Sequence, residues 1–83
     1  AAKGKSSPTH LRNKLRAAER EVSDLSAELD ATSEALRVAA ESGDHVALND
    51  LGAALTAVGA RLETAEEQWL ELAAEVEERG LQI

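Results

Sequence analysis

The apolar positions of the chain fall into two runs with one rhythm. Leu11, Leu15, Ala18, Val22, Leu25, Leu29, Thr32, Leu36 and Ala39 are spaced 4, 3, 4, 3, 4, 3, 4, 3. Leu48, Leu51, Leu55, Val58, Leu62, Ala65, Trp69, Leu72 and Val76 are spaced 3, 4, 3, 4, 3, 4, 3, 4. A repeat of this kind keeps one narrow stripe of an α-helix apolar, the a/d seam of a coiled coil. Ser7-Pro8 precedes the first run: serine can cap the first free N–H groups, and proline suits the first helical position, where its missing N–H costs nothing. Glu41-Ser42-Gly43-Asp44-His45 separates the runs. Gly43 suits the left-handed position that ends a helix, and Asp44 the cap of the next. Gly80 ends the second run in the same way, with Leu81 placed to fold back on Val76.

This pattern predicts helices over residues 8–42 and 44–79, a turn at 43–44 and a flexible basic linker over 1–7, so that 8–83 forms the folded unit. A link so short sends the second helix back along the first. The fold class is all-α: a two-helix antiparallel coiled-coil hairpin. The pairing follows from matching each seam residue to its mirror image across the turn. The pairs are Leu11–Val76, Leu15–Leu72, Ala18–Trp69, Val22–Ala65, Leu25–Leu62, Leu29–Val58, Thr32–Leu55, Leu36–Leu51 and Ala39–Leu48, and the two numbers of each add to 87. The largest side chain, Trp69, meets a small one, Ala18, as close packing favours. Beside the seam, Lys14 is expected near Glu75 and Arg61 near Glu28, whereas Glu19 falls near Glu66, an unfavourable pairing unless Arg16 or Arg20 screens it. Gly52 and Gly59 stand beside the second seam, opposite Ser33 and Ser26. Each costs about 1 kcal/mol relative to alanine in a helix; they are either tolerated or mark a groove for another helix.

Composition agrees with long helices. The 83 residues include one aromatic, Trp69, and no Met or Cys; Ala, Leu and Val supply most of the apolar content. A sheet would want β-branched and aromatic residues. Without cysteine there is no disulfide or thiolate chemistry. No apolar run approaches the roughly 20 residues of a membrane span, and no stretch has the regions of a signal peptide. The expectation is an intracellular protein without membrane contact. The opening Ala-Ala-Lys-Gly-Lys-Ser-Ser-Pro has no initiator Met and reads as the front of a piece of a longer chain.

Candidate chemistry is sparse. His10 and His45 lie at opposite ends of the predicted hairpin and cannot share a metal. No Ser/His/Asp set can assemble without bringing those ends together. Gly4-Lys5-Ser6 lacks the upstream glycine and the strand-to-helix context of a phosphate loop. The many carboxylates have no concave pocket in a lone hairpin. The expectation is no catalytic site, cofactor or metal in this chain. Charge is more informative. Residues 1–16 carry Lys3, Lys5, Arg12, Lys14 and Arg16 with no acid, and residues 63–78 carry seven Glu and no base. The basic front either faces the acidic end of its own partner helix or serves as a phosphate-binding footprint. The net charge of −7 opposes nucleic acid at long range, and no aromatic residues are interleaved to stack bases.

A Lys/Ser-rich linker, a leucine-heptad helix, a Gly/Asp break, a second heptad helix and the closing Ala65-Glu66-Glu67-Gln68-Trp69-Leu70-Glu71-Leu72 together resemble the C-terminal coiled-coil domain of ABC-F ATP-binding cassette proteins, including the Uup type. The resemblance spans nearly the whole chain. It implies a cytoplasmic accessory domain that follows two ATP-hydrolysing cassettes, with ATP and Mg²⁺ bound only by those cassettes. It also implies contact with DNA or the ribosome, or positioning of the cassettes, through Lys3, Lys5, Arg12, Lys14, Arg16 and Arg20. The alternative is a structural coiled coil for protein–protein interaction or homodimerisation. Two-helix units are marginal, and Val38, Leu70 and the Gly52/Gly59 side lie off the seam.

Overall fold

In the computed structural model, which describes residues 8–80, two α-helices pack side by side: α1, Pro8–Ser42, and α2, His45–Glu78. The protein is an all-α helical hairpin, 61 × 20 × 15 Å. Residues 1–7, and with them the expected Ser7 cap and linker, lie outside the described residues, as do Leu81–Ile83 and the expected Leu81–Val76 contact.

The turn is built from backbone geometry. Gly43 has φ of +71°, which a side chain at that position would strain. Its N–H donates to the Ala40 carbonyl at 3.3 Å, and the Asp44 N–H donates to the Ala39 carbonyl at 3.1 Å. These two bonds form the Schellman arrangement, satisfying carbonyls that the last turn of α1 would otherwise leave open. Asp44 then caps α2: its Oδ1 accepts from the Ala47 N–H at 3.0 Å. Asp44 is thus the cap and His45 the first helical residue. α2 closes on Gly80, with φ of +67° and its N–H donating to the Glu77 carbonyl at 3.0 Å.

All eighteen seam positions are buried or half-buried. The fully buried ones are Leu11, Leu15, Ala18, Leu25, Ala39, Val58, Ala65 and Val76; Val22, Leu29, Leu36, Leu48, Leu51, Leu55, Leu62, Trp69 and Leu72 are half-buried. Half-burial is what a two-helix seam permits, since each core side chain is covered from one side only. Thr32 keeps its place in the seam because its hydroxyl donates to the Glu28 carbonyl one turn back, at 2.8 Å, which satisfies the polar group within its own helix. At the open end Leu11, Leu15 and Val76 form a buried cluster, packed against by Trp69, Leu72 and Ala73.

The register gives the hairpin two unlike edges. The polar edge carries Lys14, Glu21 and Glu28 from α1 and Glu75, Gln68 and Arg61 from α2. Arg61 reaches Glu28 across it, at 3.8 Å. The other edge carries Arg12, Glu19, Ser26 and Ser33, with Ala73, Glu66, Gly59 and Gly52 opposite. A Cβ added at Gly52 or Gly59 would have no neighbouring atom within 4 Å, so packing within the hairpin does not require glycine at either position.

Candidate functional site

Two features stand out at the open end, where the first three turns of α1 lie beside the last four of α2: a group of cations and an apolar groove.

The cations come from one helix. Arg12, Arg16 and Arg20 follow one another at four-residue spacing, so they climb one side of α1, while Lys14 lies on the polar edge. Lys14, Arg16 and Arg20 are exposed and Arg12 is half-buried. Arg12 lays its stem on the hairpin, as long basic side chains do, and its Nε is buried without an acceptor. Lys3 and Lys5 lie outside the described residues.

Among the described residues, none of these four cations is in an ion pair, whereas the arginines elsewhere are. Arg37 bridges Glu34 and Glu41, three and four residues away. Arg61 pairs with Glu28, and Arg79 with Glu75 at 3.5 Å. Lys14, expected near Glu75, forms no ion pair with it, and Glu75 pairs instead with Arg79, the C-cap of α2. Arg79 is one turn from Glu75 on the same helix and need not reach across the seam. The antiparallel fold puts the basic start of α1 beside the acidic end of α2, but it pairs none of these four side chains there.

The Arg37 bridge was readable from the sequence, because the Glu34, Arg37, Glu41 spacing is that of helix neighbours. Hydrogen bonding to Arg37 holds the Glu34 carboxyl below its ordinary range, and the same bond raises Arg37 above its own. Both groups are exposed, so the bridge contributes little stability.

The groove lies on the edge of Arg12 and Glu19. Glu19, Val22, Ser23, Glu66, Trp69 and Leu70 line it, and its volume is about 570 Å³. Trp69 was expected to fill the layer opposite Ala18. It packs against the Leu11–Leu15–Val76 cluster but is only half-buried and lines the groove. Its indole Nε1 is buried with no acceptor among the described residues. Leu70 is 58% exposed beside it. Glu19 and Glu66 share the rim, as the register predicts, and neither is in an ion pair among the described residues. No helix of the described residues is long and apolar enough to cross a membrane. No group of three or more His, Asp or Glu among them is placed to hold a metal ion. His10 and His45 stand in the first turns of α1 and α2, at opposite ends of the molecule.

No family model matches the chain, and neither does any curated protein or solved structure.

Proposed function

We propose that this hairpin is a non-catalytic accessory domain that contacts a polyanion, DNA or the RNA of a ribosome, through the outer face of α1 at the open end. The observation that carries the reading is the segregation of its cations. Arg12, Lys14, Arg16 and Arg20 have no ion-pair partner among the described residues, while Arg37, Arg61 and Arg79 are all paired.

The acidic end of α2 opposes such binding, and distance decides the balance. Packed helix axes are about 8–10 Å apart, so a phosphate on the outer face of α1 lies farther still from the glutamates of α2. At physiological salt the Debye length is about 8 Å, which screens those glutamates more than the adjacent Arg16 and Arg20. Binding is local and weak, with about three phosphate contacts.

The Trp69-centred closing stretch supports the wider setting: the C-terminal domain of an ABC-F type ATPase, cytoplasmic, whose two cassettes bind ATP and Mg²⁺ and are positioned by the hairpin. The test is fluorescence anisotropy of labelled duplex DNA and of an RNA hairpin across a salt series. The expected log–log slope is about −2 to −3, from roughly 0.7–0.9 per phosphate contact. Reversing Lys14, Arg16 and Arg20 to Glu should abolish binding. Failure to bind at the lowest salt, or binding that survives the reversal, overturns the reading.

A further inference from the structure

We infer that the groove edge at the open end is a self-association surface, on which a second copy of the hairpin docks about a two-fold axis that passes beside Leu70. This goes beyond the polyanion reading and does not depend on it: that reading is tested by reversing Lys14, Arg16 and Arg20, whereas the contact below is tested at Arg12 and Glu19.

Charge complementarity along this one edge identifies the occupant. The groove offers an apolar floor of Val22, Trp69 and Leu70 between two carboxylates, Glu19 and Glu66, that have no ion-pair partner among the described residues. The ligand that fits is an apolar side chain with a cation beside it. The chain carries that combination on the same edge. Leu70 is exposed, and Arg12 has no acidic partner among the described residues. Arg12 and Glu19 are seven residues apart on α1, about 10 Å along its axis. Within one hairpin they cannot meet.

A two-fold axis perpendicular to the helices and midway between them exchanges the two positions. Arg12 of each copy then faces Glu19 of the other, and Glu66 lies next to Glu19. The register sets Leu70 level with Ala17, between Arg12 and Glu19. The same axis therefore brings the Leu70 side chains of the two copies together over the Trp69 floors. Such a contact is isologous, as most dimer contacts are. Glu19 of each copy thus gains a cation from the other, with Glu66 beside that pair, while the two Arg16 side chains come level with the axis and are screened from each other by salt.

This geometry dictates an elongated dimer. Only the open ends overlap, over residues 8–23 of α1 or about 23 Å. Two rods of 61 Å therefore give a particle about 100 Å long. The contact is of the small, transient class, so association is expected at high micromolar concentration. Working at physiological ionic strength leaves contact pairs in place while screening the −7 charges of the two copies from each other.

Sedimentation equilibrium and small-angle scattering over a concentration series test the inference. The expected mass rises from 8.8 kDa toward twice that value, and the maximum dimension rises with it toward the value above. Arg12→Glu and Glu19→Arg should each remain monomeric at the highest concentration, with helical circular dichroism unchanged. An equimolar mixture of the two should associate, because each variant then presents the charge the other lacks. A wild-type chain that stays monomeric overturns the inference. So does a dimer no longer than one hairpin, or a mixture that fails to associate while both variants are folded.

Discussion

Leu25 gives the sharpest test of the seam. It is 3% exposed and faces the half-buried Leu62 in the middle of the hairpin. Truncating a buried leucine to alanine costs about 2–5 kcal/mol, the lower values where the space left behind can relax. A two-helix seam is open to water along both edges, so Leu25→Ala belongs at about 2–3 kcal/mol. A core in a chain this short rarely supplies more than about 3–5 kcal/mol. The truncation should therefore remove about half of the total stability, and Leu25→Glu should leave no folded hairpin. At a urea dependence near 1 kcal/mol per molar for a small domain, Leu25→Ala lowers the unfolding midpoint by about 2–3 M. Leu70→Ala is the control. Leu70 is 58% exposed, and its truncation should cost about 0.5 kcal/mol or less at dilute concentration. The assay is urea unfolding followed by circular dichroism and by Trp69 fluorescence, whose coincidence checks two-state behaviour. Equal midpoint shifts for Leu25→Ala and Leu70→Ala would sink the seam assignment, because two faces that the heptad pattern separates would then be energetically alike.

The glycines divide by conformation. Gly52→Ala and Gly59→Ala, with open space at the new Cβ, should each stabilise the hairpin by about 0.5–1 kcal/mol. Gly43→Ala, at a φ of +71°, should destabilise it by about 1–2 kcal/mol; thermal melts of the three variants give the signs directly. Asp44→Ala removes the acceptor for the Ala47 N–H and should cost about 0.5–2 kcal/mol, recovered largely by Asp44→Ser in the same melts. For Glu34, the carboxyl bonded to Arg37 titrates below its ordinary range in the folded chain. Its stabilising effect is therefore complete above the unfolded glutamate pKa and disappears as pH falls through the lowered folded value. An NMR titration of Glu34 should show its midpoint rising in Arg37→Met; an unmoved midpoint would mean that the bridge does not form in solution.

Much of this architecture was legible in the chain itself, and the reason is local. A 3–4 spacing of leucines specifies which stripe of a helix must leave water, whatever lies beyond it. A glycine that alone tolerates positive φ, followed by an aspartate that can cap, specifies where the chain reverses. The reversal then sets the register, because a tight turn allows little slip. That is why the sequence alone matches Leu11 to Val76, and Arg61 to Glu28.

Charge pairing was less legible. Lys14 and Arg79 both have Glu75 within reach in sequence terms. The ion pair that forms is with Arg79, one turn away at the C-cap of the same helix, and not with the lysine on the facing one. Arg12 and Lys14 are also near neighbours in the sequence, yet they stand on opposite edges of the folded hairpin. A cluster of cations read along the chain is thus divided by the helix into surfaces of different use.

The open-end groove belongs to tertiary structure alone. The sequence pairs Trp69 with Ala18, a large residue with a small one. It could not foresee that the indole would stay half-exposed and line a groove with Val22 and Leu70, nor that Glu19 and Glu66, neighbours by register, would have no ion-pair partner among the described residues. The sequence by itself determined two amphipathic helices, their reversal and their register, because periodicity and backbone conformation are properties of neighbouring residues. Only the packed hairpin decided which side chains remain unpaired and exposed together, because that depends on distances between residues some fifty positions apart in the chain.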